Sequence, residues 1–159
     1  MGNMLSNKAK YAFKAMFTLA RLEPGALLQS WEIAERENIS KKFLDLILLE
    51  LRSHGLIRSF RGKRGGYSLA KPSDEITLGR IVRIIDGPLA PIACASVTAY
   101  RRCIDCKSEA GCLVRQNMRR VRDAASEILD NTTLKSALAK EKRSRPRALR
   151  RKAAGRLSA

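Results

Sequence analysis

Apolar and polar positions along this chain follow the 3.6-residue period of amphipathic helices, interrupted once by two short alternating runs. Ser6 is placed to cap a first helix running to about Leu22, with Tyr11, Ala12, Ala15, Met16, Leu19 and Ala20 on one stripe. Glu23-Pro24-Gly25 stops it. A second, short helix is predicted from Ser30 to Glu37, with Trp31, Ile33 and Ala34 apolar. After the turn at Asn38-Ile39, Ser40 caps a third helix ending near His54-Gly55. Its buried stripe is Phe43, Leu44, Ile47, Leu48 and Leu51, and Gly55 stands where a left-handed residue closes a helix. Two short helices across a tight turn predict a helix-turn-helix.

The period then changes. Leu56-Ile57-Arg58-Ser59-Phe60 and Tyr67-Ser68-Leu69-Ala70 read as strands, joined by Arg61-Gly62-Lys63-Arg64-Gly65-Gly66. A hairpin directly behind a helix-turn-helix is a wing. Its glycines allow close backbone approach, and Arg61, Lys63 and Arg64 can reach phosphates or a minor groove. An ordinary solvated hairpin tip is the plainer reading; a nucleotide phosphate loop does not match, because the glycines neither fit that motif nor open a helix.

Thr77 caps the next helix, whose apolar positions are Leu78, Ile81, Val82 and Ile85, closed by Asp86-Gly87-Pro88. After a loop, a long helix is predicted from Cys112 to about Asp130. Val114, Met118, Val121, Ala125 and Ile128 step by four and three, the seam of a helix pair. Burial within its own domain is one reading of that seam. Dimerisation is the other, favoured by Arg115, Arg119, Arg120 and Arg122 on the remaining faces. A last short helix opens at Thr132 or Thr133 and carries Leu134, Ala137 and Leu138.

The fold class expected is mainly α with a small β-hairpin: a winged helix-turn-helix over 4–87, a cysteine-rich loop over 88–111, a dimerisation helix and terminal helix over 112–139, and a basic disordered tail over 140–159. Charge sharpens the choice of partner. The chain of 159 residues carries 32 Lys and Arg against 15 acids, a net +17. Of this, +9 lies from Lys135 onward, where ten basic residues face one acid, Glu141. Such a field favours nucleic acid or an anionic membrane surface. No run approaches the roughly 18–20 apolar residues of a membrane span, and the N-terminus has neither the apolar core nor the cleavage site of a signal peptide. Double-stranded DNA, a cytoplasmic location and no membrane partner are therefore expected.

All four cysteines fall within 19 residues, as Cys94-x8-Cys103-x2-Cys106-x5-Cys112. In a reducing compartment such a cluster reads as a ligand set for iron–sulfur or zinc rather than as two disulfides. The spacing matches no common paired zinc-ribbon pattern, which leans towards iron–sulfur. A thioredoxin-like enzyme is disfavoured, because Cys103-Ile-Asp-Cys106 lies in a loop without a βαβ setting. No catalytic triad, nucleotide loop or second cofactor motif accompanies the thiols, so a redox enzyme or iron–sulfur carrier ranks below a regulator.

In this order, LSNKAKYAFKAM, IAERENISKKFLDLILLELRSHGLIRSFRGKRGGYSLAKP and EITLGRIVRIIDGPLAP, the last ending near Cys94, resemble the IscR/NsrR/RirA family of winged-helix transcription regulators over roughly residues 4 to 138. The wing phrase RGKRGGYSLAKP is the most specific part. The resemblance implies a homodimer that binds imperfectly palindromic operators, as a repressor, with an iron–sulfur cluster tuning DNA binding to iron, redox stress or nitric oxide. By position, Cys94, Cys106 and Cys112 fall at the family's cluster cysteines. Where some members have a histidine ligand this chain has Arg115, and where others use an aspartate from the partner subunit it has Lys10. His54 ends the recognition helix and reads as structural. Cys103 is then the candidate fourth ligand, or half of a Cys-x-x-Cys thiol switch; the spacing does not choose between 2Fe–2S and 4Fe–4S. The family aligns its recognition helix on Ser40 to Asp45. Ser40 is expected at a phosphate, Lys41 and Lys42 at phosphate or a guanine edge unless merely solvated, Asp45 where the family often has Glu, Phe43 where it often has Tyr, and Arg61 at the wing arginine.

Overall fold

The computed structural model describes residues 5–62 and 64–144, without the side chains of 142–144. Six helices and one hairpin follow in order: α1 (Asn7–Ala20), α2 (Ser30–Glu37), α3 (Lys41–Ser53), β1 (Ile57–Phe60), β2 (Gly66–Leu69), α4 (Leu78–Ile85), α5 (Leu113–Asp130) and α6 (Leu134–Ser144), with a single 3₁₀ turn at Ala93–Ala95. Caps set most of the boundaries. The Ser6 hydroxyl accepts from Ala9 N and that of Thr77 from Arg80 N. Gln29 and Glu32 form a reciprocal capping box at the start of α2. Ser40 stands at the N-cap of α3, but its side chain makes no capping hydrogen bond.

The core forms where α1, α3 and α4 converge. Ala9, Ala12, Ala15 and Met16 of α1 are fully buried, as are Leu44, Ile47, Leu48 and Leu51 of α3 and Ile81 of α4. Three alanines on one face of α1 leave no side chain to hold α3 away, so the leucine stripe seats directly on that helix. Ile33, Leu56, Ile76 and Leu134 complete the cluster.

The hairpin pairs antiparallel, with Ile57 opposite Leu69 and Phe60 opposite Gly66. A bridge from Leu28 (Leu28 N to Tyr67 O 3.1 Å, Tyr67 N to Leu28 O 2.8 Å) pins its second strand to the segment before α2. The wing turn closes by a bond from Gly65 N to Gly62 O of 2.9 Å, with Gly62 at φ +105°.

Helix α5 contributes no buried residue, and polar groups dock it. Arg83 of α4 forms a bidentate pair with Asp130 (2.5 and 2.8 Å). That guanidinium holds the Asp130 carboxyl below its usual range. The pair therefore contributes stability at neutral pH that is lost as pH falls through the lowered value, a modest amount because both partners are well exposed.

Met118 and Ala125 are half-buried, whereas Val114 (62% exposed), Val121 (41%) and Ile128 (67%) are exposed. Val121, Ala125 and Ile128 line one groove beside α4, so the positions 114, 118, 121, 125 and 128 share one side of α5. One expectation changes: the last helix runs on to Ser144, beyond the expected start of the tail at 140. Lys140 to Arg143 are good helix formers, and a pair between Arg21 and Glu141 (2.9 Å) ties this turn to the end of α1. Residues 145–159, the rest of the expected tail, lie outside the described residues.

A Cβ on Gly65 would press on the backbone of Phe60, Arg61 and Gly62, with Arg61 C and Gly62 O at 2.9 Å. Gly65→Ala is expected to cost about 1–3 kcal/mol in urea unfolding. Gly111→Ala, whose Cβ would meet nothing nearer than Ser108 Oγ at 4.0 Å, should stay within about 0.5 kcal/mol.

Candidate DNA-reading face and cysteine site

The turn between α2 and α3 is fixed by Asn38 in the left-handed region (φ 52°) and by Ile39 N donating to Ala34 O (2.9 Å). Lys14 Nζ donates to the Glu37 carbonyl (2.6 Å), and Thr18 Oγ1 donates to the Glu37 carboxylate. Together they anchor the end of α2 to α1. Phe43 is half-buried and meets Tyr11 edge to face at 5.9 Å. With Leu44, Ile47, Leu48 and Leu51 turned inward, the opposite side of α3 carries Lys42, Asp45, Leu46, Leu49 and Ser53.

Ser40, Lys41 and Lys42 are exposed at the start of α3, and the uncapped Ser40 hydroxyl is free to bind an oxygen ligand. Lys41 Nζ pairs with Asp45 at 2.8 Å along the helix. Lys42 has no ion-pair partner among the described residues. Arg61 and Arg64 are exposed at the wing tip, as is Arg58 on β1; Lys63 lies outside the described residues. The structure therefore brings Ser40, Lys41, Lys42 and Asp45 onto one end of one helix and places Arg61 and Arg64 on the wing behind it. It also adds Leu46 and Leu49, 56% and 52% exposed, which sequence reading passed over. Their signal was present: both stand opposite the stripe 44, 47, 48 and 51 on a helical wheel.

The cysteines occupy different settings. Cys94 is buried in the 3₁₀ turn, Cys103 and Cys106 are half-buried in the loop, and Cys112 is the N-cap of α5. All four are free thiols. The Cys106 and Cys112 sulfurs are 3.5 Å apart, and Cys103 also hydrogen-bonds Cys106. The backbone N–H of Arg115, donated to Cys112 Sγ at 3.5 Å, holds the Cys112 thiol below its usual range. Its neighbour is driven the other way: Cys112, burial and Cys103 push Cys106 up to about 12.

Arg115, at the position of the family histidine, works as a clamp. Its Nε donates to the Cys94 carbonyl (2.9 Å), while Arg122 Nη1 donates to the Ala95 carbonyl. Lys10, at the aspartate position, lies 4.8 Å from the Tyr11 ring centre. His54 Nδ1 donates to Glu50 O (3.0 Å) and lies 3.2 Å from Ser53 Oγ, closing α3. The donor chemistry suits a thiolate-ligated centre: four soft ligands, one of them a thiol held below its usual range at a helix N-terminus. Among the described residues no three His, Cys, Asp or Glu side chains converge closely enough to hold a metal ion. Three thiols are neighbours, and the Cys94 thiol has no sulfur partner.

Among the described residues no helix is long and apolar enough to cross a membrane. The Rrf2 family model, described as an iron-dependent transcriptional regulator, matches residues 5–140. The Rrf2-like HTH-type regulator of Rhodobacter capsulatus is 42% identical over 139 residues, 86% of this chain and 93% of that protein. Among solved structures, CymR, the global cysteine regulator of B. subtilis, superposes with a TM-score of 0.72 at 31% identity, over 88% of this chain and 98% of that one. IscR of T. potens gives 0.70 at 26% identity, over 92% and 95%. The hairpin behind a helix-turn-helix, the exposed cations on both, and these similarities have one meaning: this chain belongs to the Rrf2 family of helix-turn-helix transcriptional regulators, which are DNA-binding proteins and not enzymes.

Proposed function

We propose that this chain is a cytoplasmic, homodimeric repressor whose binding to an imperfectly palindromic operator is tuned by an iron–sulfur cluster on Cys94, Cys103, Cys106 and Cys112. The observation that carries this reading is the position of Cys112. It caps the helix whose outward face bears Val114, Val121 and Ile128, so the thiol loop and the candidate dimer surface share one element. When bound, the cluster would supply a thiolate-ligated iron centre sensitive to iron supply, oxidants and nitric oxide. The chain's own part is to gather Cys103, Cys106 and Cys112 at the start of α5 and to hold Cys94 beside that helix through Arg115.

Two features support a second copy as the partner of α5. A groove of about 650 Å³ runs beside the helix, lined by Val82, Pro88, Leu89, Val121, Ile128 and Leu129 among others. The seam 114, 118, 121, 125 and 128 has the four-three spacing at which paired helices interlock. Two-fold pairing would present two α3 helices to successive major grooves, roughly 34 Å apart. The cations at Ser40–Lys42 and on the wing would then contact phosphates on either side of each half-site.

A specific distance favours a second sensing chemistry. Cys106 and Cys112 are already sulfur neighbours at 3.5 Å, and bond formation would bring them to about 2.05 Å. Peroxide oxidation of this pair, with loss of two protons and two electrons to give a disulfide and water, would make a thiol switch. The likeness to CymR, a cysteine regulator, keeps that reading in view. Zinc on the same thiolates is the third possibility.

Three measurements test these proposals. Anaerobic purification with a visible spectrum and iron and sulfide analysis should show a cluster that Cys94→Ser, Cys106→Ser and Cys112→Ser abolish and Cys103→Ser weakens. A colourless wild type holding zinc or nothing, with operator binding lost on peroxide treatment, would support the switch instead. In metal-free reduced protein, iodoacetamide near pH 8 should label Cys112 well before Cys106, because the first is held low and the second is pushed to about 12; equal labelling would contradict that asymmetry. Val121→Glu should give monomers by light scattering, with operator affinity down by about a hundredfold or more as the linked second half-site is lost. A wild type already monomeric at micromolar concentration would defeat the dimer.

A further inference from the structure

The reading face of α3 has a composition unusual for a helix expected to meet DNA. On that side Asp45 already holds Lys41 at 2.8 Å, and the Ser53 hydroxyl donates to Glu50 O (2.8 Å). Lys42 has no ion-pair partner among the described residues, and between Lys42 and Ser53 along the helix stand Leu46 and Leu49. They lie three residues apart, hence one above the other on the same face. A single exposed leucine would need no explanation. Here every other leucine of α3 is fully buried, and these two alone keep about half their surface in water, on a helix that exposes Ser40, Lys41 and Lys42 at its start and is followed by a wing that exposes Arg58 and Arg61.

The exposed cations of α3 and the wing and the exposed leucine pair point to one occupant together. Phosphates suit the cations. In the major groove the edges of adenine, guanine and cytosine present hydrogen-bond donors and acceptors, and only thymine adds an apolar group, its C5-methyl. We infer that Leu46, with Leu49 one turn behind it, is a specificity-determining residue that reads thymine methyl groups in the operator half-site. The inference rests on α3 being the recognition helix, as the proposed function holds. It adds a base class which neither that proposal nor the family membership assigns: preference at these positions comes from methyl burial and not from hydrogen bonding. Lys42, near the helix N-terminus, is left to contact phosphate or a guanine edge nearby.

The test needs no variant at its first step. An operator is selected from a random duplex pool with the full-length protein, and each thymine in one half-site is replaced in turn by deoxyuridine, which removes the methyl and keeps the pairing. At one or two positions the wild type should bind about fourfold more weakly, the loss expected for one buried methyl. Leu46→Ala should bind the thymine and uracil duplexes equally at that position, and Leu46→Met should keep the discrimination. The dependence of affinity on salt should be the same for all three, since no phosphate contact changes. A flat uracil scan, or a penalty that survives in both Leu46→Ala and Leu49→Ala, overturns the inference while leaving the regulator intact. If Leu46→Ala alters the oligomeric state but not base preference, the face belongs to a protein contact and the inference falls. If the wild type selects no sequence at all, the proposed function fails, and this reading fails with it.

Discussion

The seat of α3 on α1 is the contact on which the rest of the molecule depends. Ala9, Ala12 and Ala15 strip one face of α1 to methyl groups, and Leu44, Ile47, Leu48 and Leu51 fill the space they leave. Burial of four such side chains is worth roughly 1.5–3 kcal/mol each before entropy is counted. Turning α3 by one residue, about 100°, would expose part of that stripe and bury Lys42 or Asp45 without a charge partner in the core. The packing thus selects the outward face as firmly as the inward one. The wing inherits its position from the same contact, because Leu51 and Leu56 are both buried and the chain between them has only a short turn in which to reverse.

The second half of the molecule is held differently. No residue of α5 is buried; Arg83 with Asp130, Arg115 with the Cys94 carbonyl, and Arg122 with the Ala95 carbonyl do the docking. Such bonds are worth less than apolar burial at a water-exposed seam, and they tolerate adjustment in a way that interlocked leucines do not. A winged-helix core closed by apolar packing therefore carries a helix fastened by guanidinium groups. One of those fasteners, Arg115, also donates its backbone N–H to Cys112, so the two ends of the cysteine loop are held by a single residue.

How much of this was legible in the sequence differed by element for physical reasons. Helix α2 was expected from Ser30 to Glu37 and α4 behind Thr77, and both stand there because caps and breakers lie next to them in sequence. The hairpin was legible from its period and its glycines. Helix α3 was legible as a helix and, at Ser40 to Asp45, as the candidate recognition helix, but Leu46 and Leu49 were not singled out, since apolar residues crowd Phe43 to Leu51 and the stripe hides the two leucines that oppose it. In α5 the four-three steps put 114, 118, 121, 125 and 128 on one side of the helix, and Val121, Ala125 and Ile128 line the groove beside α4. The carbonyls of Cys94 and Ala95 that hold Arg115 and Arg122 are tertiary partners and leave no mark in the helix's own pattern. The length of α6 depended on a bridge from Arg21 to Glu141, 120 residues apart.

These two modes of attachment constrain how the cysteine loop can influence DNA binding. From the loop, the chain of contacts runs through Cys112 into α5, across Arg83–Asp130 into α4, and from α4 to α1 and α3. It also passes by way of Asp86, which accepts from Ser6 N (2.8 Å) and Ser6 Oγ (2.5 Å) at the start of α1. These two contacts are hydrogen-bonded carboxylates at the edge of the core, and just past the end of α5 backbone bonds from Leu78 N to Thr132 O (2.8 Å) and from Leu134 N to Ile76 O (3.0 Å) add a third crossing. The α1–α3 core beyond them is close-packed and resists gradual deformation. A change at the sulfurs therefore acts most readily by moving α5 relative to the core as a body, not by reshaping α3. The apolar seat of α3 on α1 lies beyond those bonds, so the orientation of α3 within the core is set independently of how α5 is fastened.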